Sequence, residues 1–387
     1  MSGGKAVKSL LLIAVLSAFL AGCLSTQLPS IKGKGFALEE DEQRIWAQSK
    51  TEERKLDRSG LIYRDQELER YLNDLARRLV PTDIAATVPF TVRVVKDPSL
   101  NAFTYPDGSF YVHTGILASM DNEAQLATVF AHEISHVTHR HAVRQIRDMK
   151  NKTAFFATLG AMTGNYAVPL GALGALAAVT GYSRDLESEA DTEGLRLMVD
   201  AGYDPRQAPQ AMRHLLRDAT EEERKESYFF GSHPRLKERL ENFEELCRTR
   251  YAGRTGGIVN VEGYLRAVSP ALLENARLDL KAGRFERARR SVGKYLTLHD
   301  NDAQAYFIQG ETWRQEGGEG SIDKARESYL RAVSLDPAYP DPHRALGLTA
   351  YKQKDREQAR REFERYLSLA PRASDRGHIE ELLKALR

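Results

Sequence analysis

The sequence predicts a mainly α protein with one small β-sheet, ending in a solenoid of helical hairpins. Three observations lead there. From Glu39 to Val80 apolar residues fall at helical spacing, as in Leu68, Tyr71, Leu72 and Leu75. β-prone residues cluster between Phe90 and Val112, where Phe90-Thr91-Val92-Arg93-Val94-Val95 alternates at period two. Near the C-terminus, Ala325, Tyr329, Ala332 and Pro337 recur as Ala359, Phe363, Tyr366 and Pro371, each 34 residues on. The composition suits a folded chain: 387 residues, 42% hydrophobic, 28% charged, formal net charge +2. This excludes a wholly disordered chain, a polytopic membrane protein and a nucleic-acid partner recruited by bulk charge. Two cysteines exclude a disulfide scaffold and a cysteine-built zinc site, so a metal here must be held by histidines and carboxylates.

In chain order, Lys5 and Lys8 precede an uncharged apolar run from Ser9 to Gly22, too short for a membrane span and suited to a signal peptide. It ends Leu20-Ala21-Gly22-Cys23, which resembles the lipobox of bacterial lipoproteins. Cleavage before Cys23 would leave it to carry lipid, an anchor that needs no transmembrane helix. Leu24 after the cysteine fits outer-membrane sorting, facing the periplasm; the alternative is a soluble periplasmic protein. Residues 24–37, with Pro29, Gly33 and Gly35, read as a tether.

A first domain is expected over 38–252. After the 39–80 helical region and the strand at 90–95, Asn101 to Tyr105 and Ser109 to Val112 flank Pro106-Asp107-Gly108 as a hairpin. A long helix follows from about Asn122 to Arg147. Residues 153–183 carry no charge and read as two short packed helices, with a membrane-dipping loop as the alternative. A helix from Ser183 to Asp200 stops at Ala201-Gly202, another runs from Asp204-Pro205 toward Leu216, and a charged one follows His233-Pro234 to about Arg250. The glycine-rich stretch Gly253 to Gly257 opens a linker, 253–268, before repeats at 269–387. There Gly310 and Gly347 match within the first helix of each unit, and a weaker copy holds Ala276, Gly283, Ala288 and Tyr295. The 34-residue period with small residues at helix crossings resembles tetratricopeptide repeats, which bind peptides or partner proteins on a concave face.

The chemistry concentrates at His132-Glu133-Ile134-Ser135-His136, an HExxH pattern inside the long helix. Histidines four apart project from one helical face and can share one metal ion. Glu133, one residue on, can take a proton from an attacking water and pass it to the leaving amine. A third ligand must come from elsewhere. His139 and His141 read as helix-end residues. In Ser183-Arg184-Asp185-Leu186-Glu187-Ser188-Glu189-Ala190-Asp191, Glu187, Ala190, Asp191 and Gly194 share a face, with Glu189 and Glu193 turned to solvent. Ala190 and Gly194 would let this helix approach the HExxH helix closely. Glu187 can then be the third ligand, and Asp191 can fix a ligand histidine's tautomer or donate a proton. A plain solvated acidic helix is the competing reading. Two histidines and a carboxylate suit zinc, one ion per chain.

HExxH followed by SRxxExEAD some 50 residues on resembles the gluzincin zinc-peptidase family of the CAAX prenyl proteases and HtpX-like heat-shock proteases, and within it the periplasmic proteases that assist β-barrel assembly. Asn101-Ala102-Phe103, and His233-Pro234 with Arg239, extend the resemblance over residues 40–250. It implies a zincin-like domain with zinc on His132, His136 and Glu187, Glu133 as acid/base, and a catalytic or proton-donor role for Asp191. It implies that His233 sits on a loop able to latch the zinc or help stabilise the oxyanion. It also implies clients among misfolded or stalled outer-membrane or envelope proteins, with the repeats docking clients or assembly machinery. The alternative is a chaperone or scaffold whose protease site is latched. Proteases of this type bind substrate as an added strand, and Ser109 to Thr114, including Phe110, Tyr111 and Val112, is expected to form that sheet edge.

Overall fold

The computed structural model describes residues 26, 28, 30–31, 36–150, 181–221 and 235–386. The signal segment, Cys23, most of the uncharged run at 153–183 and His233 lie outside the described residues. Among the described residues no helix is long and apolar enough to cross a membrane.

Two helices fill most of the region expected to be helical, α1 (Glu40–Arg58) and α2 (Gln66–Leu79), with a two-residue strand β1 (Ile62–Tyr63) between them. Asp65 starts α2 by accepting from the N–H groups of Glu67 and Leu68, both at 3.0 Å. Leu68, Leu72, Leu75, Ala76 and Leu79 then form its buried stripe. A short helix α3 (Thr82–Ala85) leads into the sheet.

The sheet has four strands in the order β1-β2-β4-β3, with β2 (Thr91–Val95), β3 (Ala102–Thr104) and β4 (Ser109–His113). β3 and β4 form the expected antiparallel hairpin, Phe103 opposite Tyr111. β4 also pairs in parallel with β2, Thr91 opposite Ser109 and Val95 opposite His113. This corrects the expectation that Ser109 to Thr114 is a sheet edge. Ser109, Phe110, Tyr111, Val112 and His113 are all buried in an inner strand. Main-chain groups on both sides of that strand are engaged by β2 and β3, so no edge is open there for an added strand. The edge on this side of the sheet is β3.

Helix α4 (Thr114–Ser119) follows, then α5 (Glu123–Thr138), buried along its whole length. Asn122 caps α5, its Oδ1 accepting from Gln125 N–H at 3.0 Å. The single helix expected from 122 to 147 is broken. Arg140 takes a left-handed φ of 57° and the helix restarts at 141–150. The Arg140 guanidinium forks onto the buried Glu42 carboxylate of α1, Nε to Oε1 at 2.7 Å, and lies over the Phe36 ring. That partner holds the strained backbone in place.

α6 (Arg184–Asp200), α7 (Gln207–Glu221) and α8 (Leu236–Thr249) complete this half of the chain. The C-terminal half stacks α9 (Val261–Lys281), α10 (Phe285–Leu296), α11 (Ala303–Glu316), α12 (Ser321–Leu335), α13 (Pro340–Lys352), α14 (Arg356–Leu369) and α15 (Arg376–Ala385). The repeat logic is physical. A Cβ on Gly310 would stand 2.4 Å from the Tyr329 ring, and one on Gly347 2.5 Å from the Phe363 ring. In both units an aromatic ring of the second helix packs onto a bare backbone in the first.

The expected linker at 253–268 is instead built into the first domain. Ile258 bridges Tyr203 in a short parallel pairing, and α9 begins at Val261. Tyr264, Val268, Ala271 and Leu272 are fully buried in the same core as α2, the sheet, α5, α6 and α7. The Tyr264 hydroxyl donates to Leu117 O at 2.5 Å. Glycines marked the bend, while the apolar residues after it seek the existing core. Helix α10 adds polar ties. Arg290 pairs with the buried Asp218, Arg287 donates to Pro98 O, and Lys294 donates to Ala118 O and Met120 O at 2.8 Å, closing the C-terminal end of α4.

Candidate active site

Helices α5 and α6 cross at the site. Gly194 makes the close approach possible: a Cβ there would stand 2.9 Å from His132 N and 3.1 Å from Ala131 C. Ser183 starts α6 by capping Leu186 N–H, and Leu186, Glu187, Ala190, Asp191 and Gly194 are buried along it. Glu187 and Asp191 are therefore aimed at α5. Glu189 and Glu193 are only partly covered.

His132, His136 and Glu187 offer ligand atoms within 4.8 Å of one another, and all three residues are buried. The two Nε2 atoms lie 3.0 Å apart. Glu187 Oε2 is 3.5 Å from His132 Nε2 and Oε1 is 3.4 Å from His136 Nε2. Four-residue spacing on one helix face brings the two imidazoles together, and the second helix adds the carboxylate.

The opposite ring nitrogens have different partners. His132 Nδ1 is 2.9 Å from Asp191 Oδ1. His136 Nδ1 is 2.8 Å from Nδ1 of His141, and the Tyr182 ring stacks on His136 at 3.9 Å and 14°. Arg239 of α8 reaches the same cluster. It donates to Asp191 Oδ1 at 2.7 Å, and its Nη1 is 3.3 Å from Glu187 Oε2. His139 caps the end of α5, as expected. Glu133, buried beside His132, acts by its charge on both Tyr182 and Arg239.

Burial and Arg239 both push the His132 pKa down. Hydrogen bonds to Asp191 and Glu187 overcome them, and it is raised to about 9. Burial pushes Asp191 up, but Arg239 and His132 hold it below the usual carboxylate range. Burial, then the neighbouring His136, drives His141 far below an ordinary histidine.

The residues fit a divalent cation. Among the described residues, three buried carboxylates, Glu133, Glu187 and Asp191, face one guanidinium, Arg239. A bound cation would take over the charge balance that Arg239 and a protonated His132 otherwise supply. The imidazole and carboxylate donors are those of a catalytic metal site with one position left open.

Sequence reasoning gave no role to Arg239, His141 or Tyr182. A signal existed for Arg239, which sits among Leu236, Leu240 and Phe243 on the inward stripe of α8. An unbroken helix would turn His141 away from the ligand face; the break at Arg140 is what brings it to His136.

Comparison with known proteins places residues 63–247 in peptidase family M48 and residues 319–354 in a TPR repeat. The β-barrel assembly-enhancing protease of Escherichia coli is 32% identical over 177 residues, 43% of this chain and 36% of that one. The mitochondrial metalloendopeptidase OMA1 of Arabidopsis thaliana is 29% identical over 258 residues, 63% of this chain and 50% of that one. OMA1 of Schizosaccharomyces pombe is 31% identical over 183 residues, 45% of this chain and 52% of that one. The chain thus spans about half or less of the length of these relatives.

Proposed function

The chain carries a peptidase family M48 domain and a C-terminal TPR repeat, and from that premise we propose that it is a zinc-dependent endopeptidase of the bacterial envelope. The carrying observation is the buried His132, His136 and Glu187 cluster with Glu133 beside it. His132, His136 and Glu187 would hold the metal. When bound, zinc supplies Lewis-acid polarisation of the scissile carbonyl and acidifies the attacking water.

The remaining work belongs to the chain. Glu133 takes the proton of the attacking water and delivers it to the leaving amine, acting first as base and then as acid. Asp191 fixes the tautomer of His132 so that its Nε2 lone pair faces the site. Arg239 holds Asp191 and Glu187 in place and offsets their charge. Substrate is taken as an added strand on β3, the edge strand among the described residues. Thr104 at its end and Pro106 after it share a narrow cleft with His136 and Tyr182, which puts that edge beside the ligands. By the family resemblance we assign His233 a role as latch or oxyanion partner.

We assign the chemistry to 38–252 and docking to 269–387. Clients are misfolded or stalled outer-membrane or envelope proteins, in keeping with the name of the Escherichia coli relative. Cys23 anchors the protein by lipid to the outer membrane, facing the periplasm. Two tests apply. An unfolded protein should be cleaved, cleavage should stop with a zinc chelator and return with zinc; cleavage insensitive to chelation overturns the reading. Cys23→Ser should move the protein from the membrane to the soluble fraction; unchanged membrane retention overturns the anchor.

A further inference from the structure

We propose that His141 is a positioning residue for the metal site: its Nδ1 accepts a hydrogen bond from Nδ1–H of His136 and so aims the Nε2 lone pair of His136 at the site. This rests on the metallopeptidase reading and adds the element that orients its second imidazole.

The geometry is specific. The two Nδ1 atoms are 2.8 Å apart and the rings meet nearly edge to face, at 77° with centroids 4.9 Å apart. His141 is fully buried and lies on the far side of the His136 ring from Glu187 and His132. It is therefore not itself a ligand. A histidine that ligates through Nε2 carries its proton on Nδ1, and that proton needs a buried acceptor. His141 supplies one. Its own proton then sits on Nε2, which makes no hydrogen bond among the described residues; the nearest carboxylate oxygen, Glu189 Oε2, is 3.4 Å away and is held by Arg144 at 2.8 Å.

The two ligand histidines thus have different orienters, a carboxylate for His132 and a neutral imidazole for His136. Asp191 draws positive charge toward His132, whereas His141 adds orientation to His136 without adding charge to a cluster that already holds three carboxylates.

The broken helix has a purpose in this arrangement. Five residues along an unbroken helix would turn His141 well away from His136. The left-handed Arg140, clamped by Glu42, turns the chain so that His141 comes back over the ring. Tyr182 closes the stacked face, so the His136 ring is fixed in plane and in rotation.

The test compares zinc affinity of the full chain as wild type, His141→Phe and His141→Asn, by competition with a chromogenic chelator at one pH. His141→Phe keeps ring bulk and removes the acceptor. His141→Asn places an amide oxygen near the position of Nδ1. We expect affinity to fall about 10- to 100-fold in His141→Phe and to stay within a few-fold in His141→Asn. Melting of the metal-free forms tells whether packing has changed. If His141→Phe does not fold, His141→Ala makes the same comparison with a cavity in place of bulk. Equal zinc affinity in wild type and the acceptor-less variant overturns this role alone. Failure of the wild type to take up zinc overturns the proposed function and this role with it.

Discussion

Gly194→Ala tests how closely the two site helices must pack. The added Cβ would meet His132 N at 2.9 Å and both Ala131 C and His132 Cα at 3.1 Å. These are backbone atoms of a wholly buried helix, so no side chain can swing aside. Ordinary contact needs at least 3.4 Å, so α6 must retreat from α5 by about 0.5 Å. Overpacking of this kind costs about 1–3 kcal/mol, or roughly 2–12 °C in melting temperature for a cooperative unit of this size. The retreat also carries Glu187 away from His132 and His136, which it now approaches to 3.5 and 3.4 Å. The assay is thermal melting with and without zinc, together with zinc affinity by chelator competition. The variant should melt lower and bind zinc more weakly. Wild-type melting and wild-type affinity in Gly194→Ala would refute the claim that backbone contact at this crossing sets the ligand geometry.

Other perturbations probe what holds the site in place. Glu123, the first residue of α5, is buried and accepts from Tyr71 and Tyr203 at 2.6 Å, Asn260 at 2.7 Å and Arg78 at 2.9 Å; Glu123→Ala strands those donors and should lower stability by about 2–4 kcal/mol in denaturant unfolding, and an unchanged midpoint would contradict this. His132 binds its proton more tightly when folded, with a pKa near 9 against an ordinary 6.5. The stability this gives the metal-free protein is complete below about pH 6.5 and is lost as pH rises through about 9, a total of about 3 kcal/mol; a flat urea midpoint from pH 6 to 10 in chelator would contradict it. Lys294→Met removes the donor that closes α4 onto α10 and should cost about 1–3 kcal/mol, with the 261–296 region becoming more sensitive to limited proteolysis; wild-type resistance would speak against a rigid junction.

The features legible in the sequence are those set by local periodicity. His132, Glu133 and His136 lie on one helix, so their spacing alone brings them together. Glu187 and Asp191 were legible because Ala190 and Gly194 mark a face built for close approach. The repeat pairs Gly310 with Tyr329 and Gly347 with Phe363 follow from a fixed offset. What escaped depends on distant partners. The break at Arg140 is held by Glu42, 98 residues away, and without it His141 looks like a helix-end residue. The inner position of β4 depends on parallel pairing with β2, which a hairpin motif does not reveal. The stretch at 253–268 reads as a linker by its glycines, yet Tyr264 and Val268 find the core of the first domain.

The central claim is that Glu133 moves protons for peptide hydrolysis at a metal held by His132, His136 and Glu187. The most direct measurement compares zinc-loaded wild type and Glu133→Gln on an unfolded protein substrate, with zinc content determined for both. Glu133→Gln keeps the shape of the side chain and removes the base. The account expects equal zinc content, cleavage by wild type and none by the variant. Equal cleavage by both proteins would contradict it.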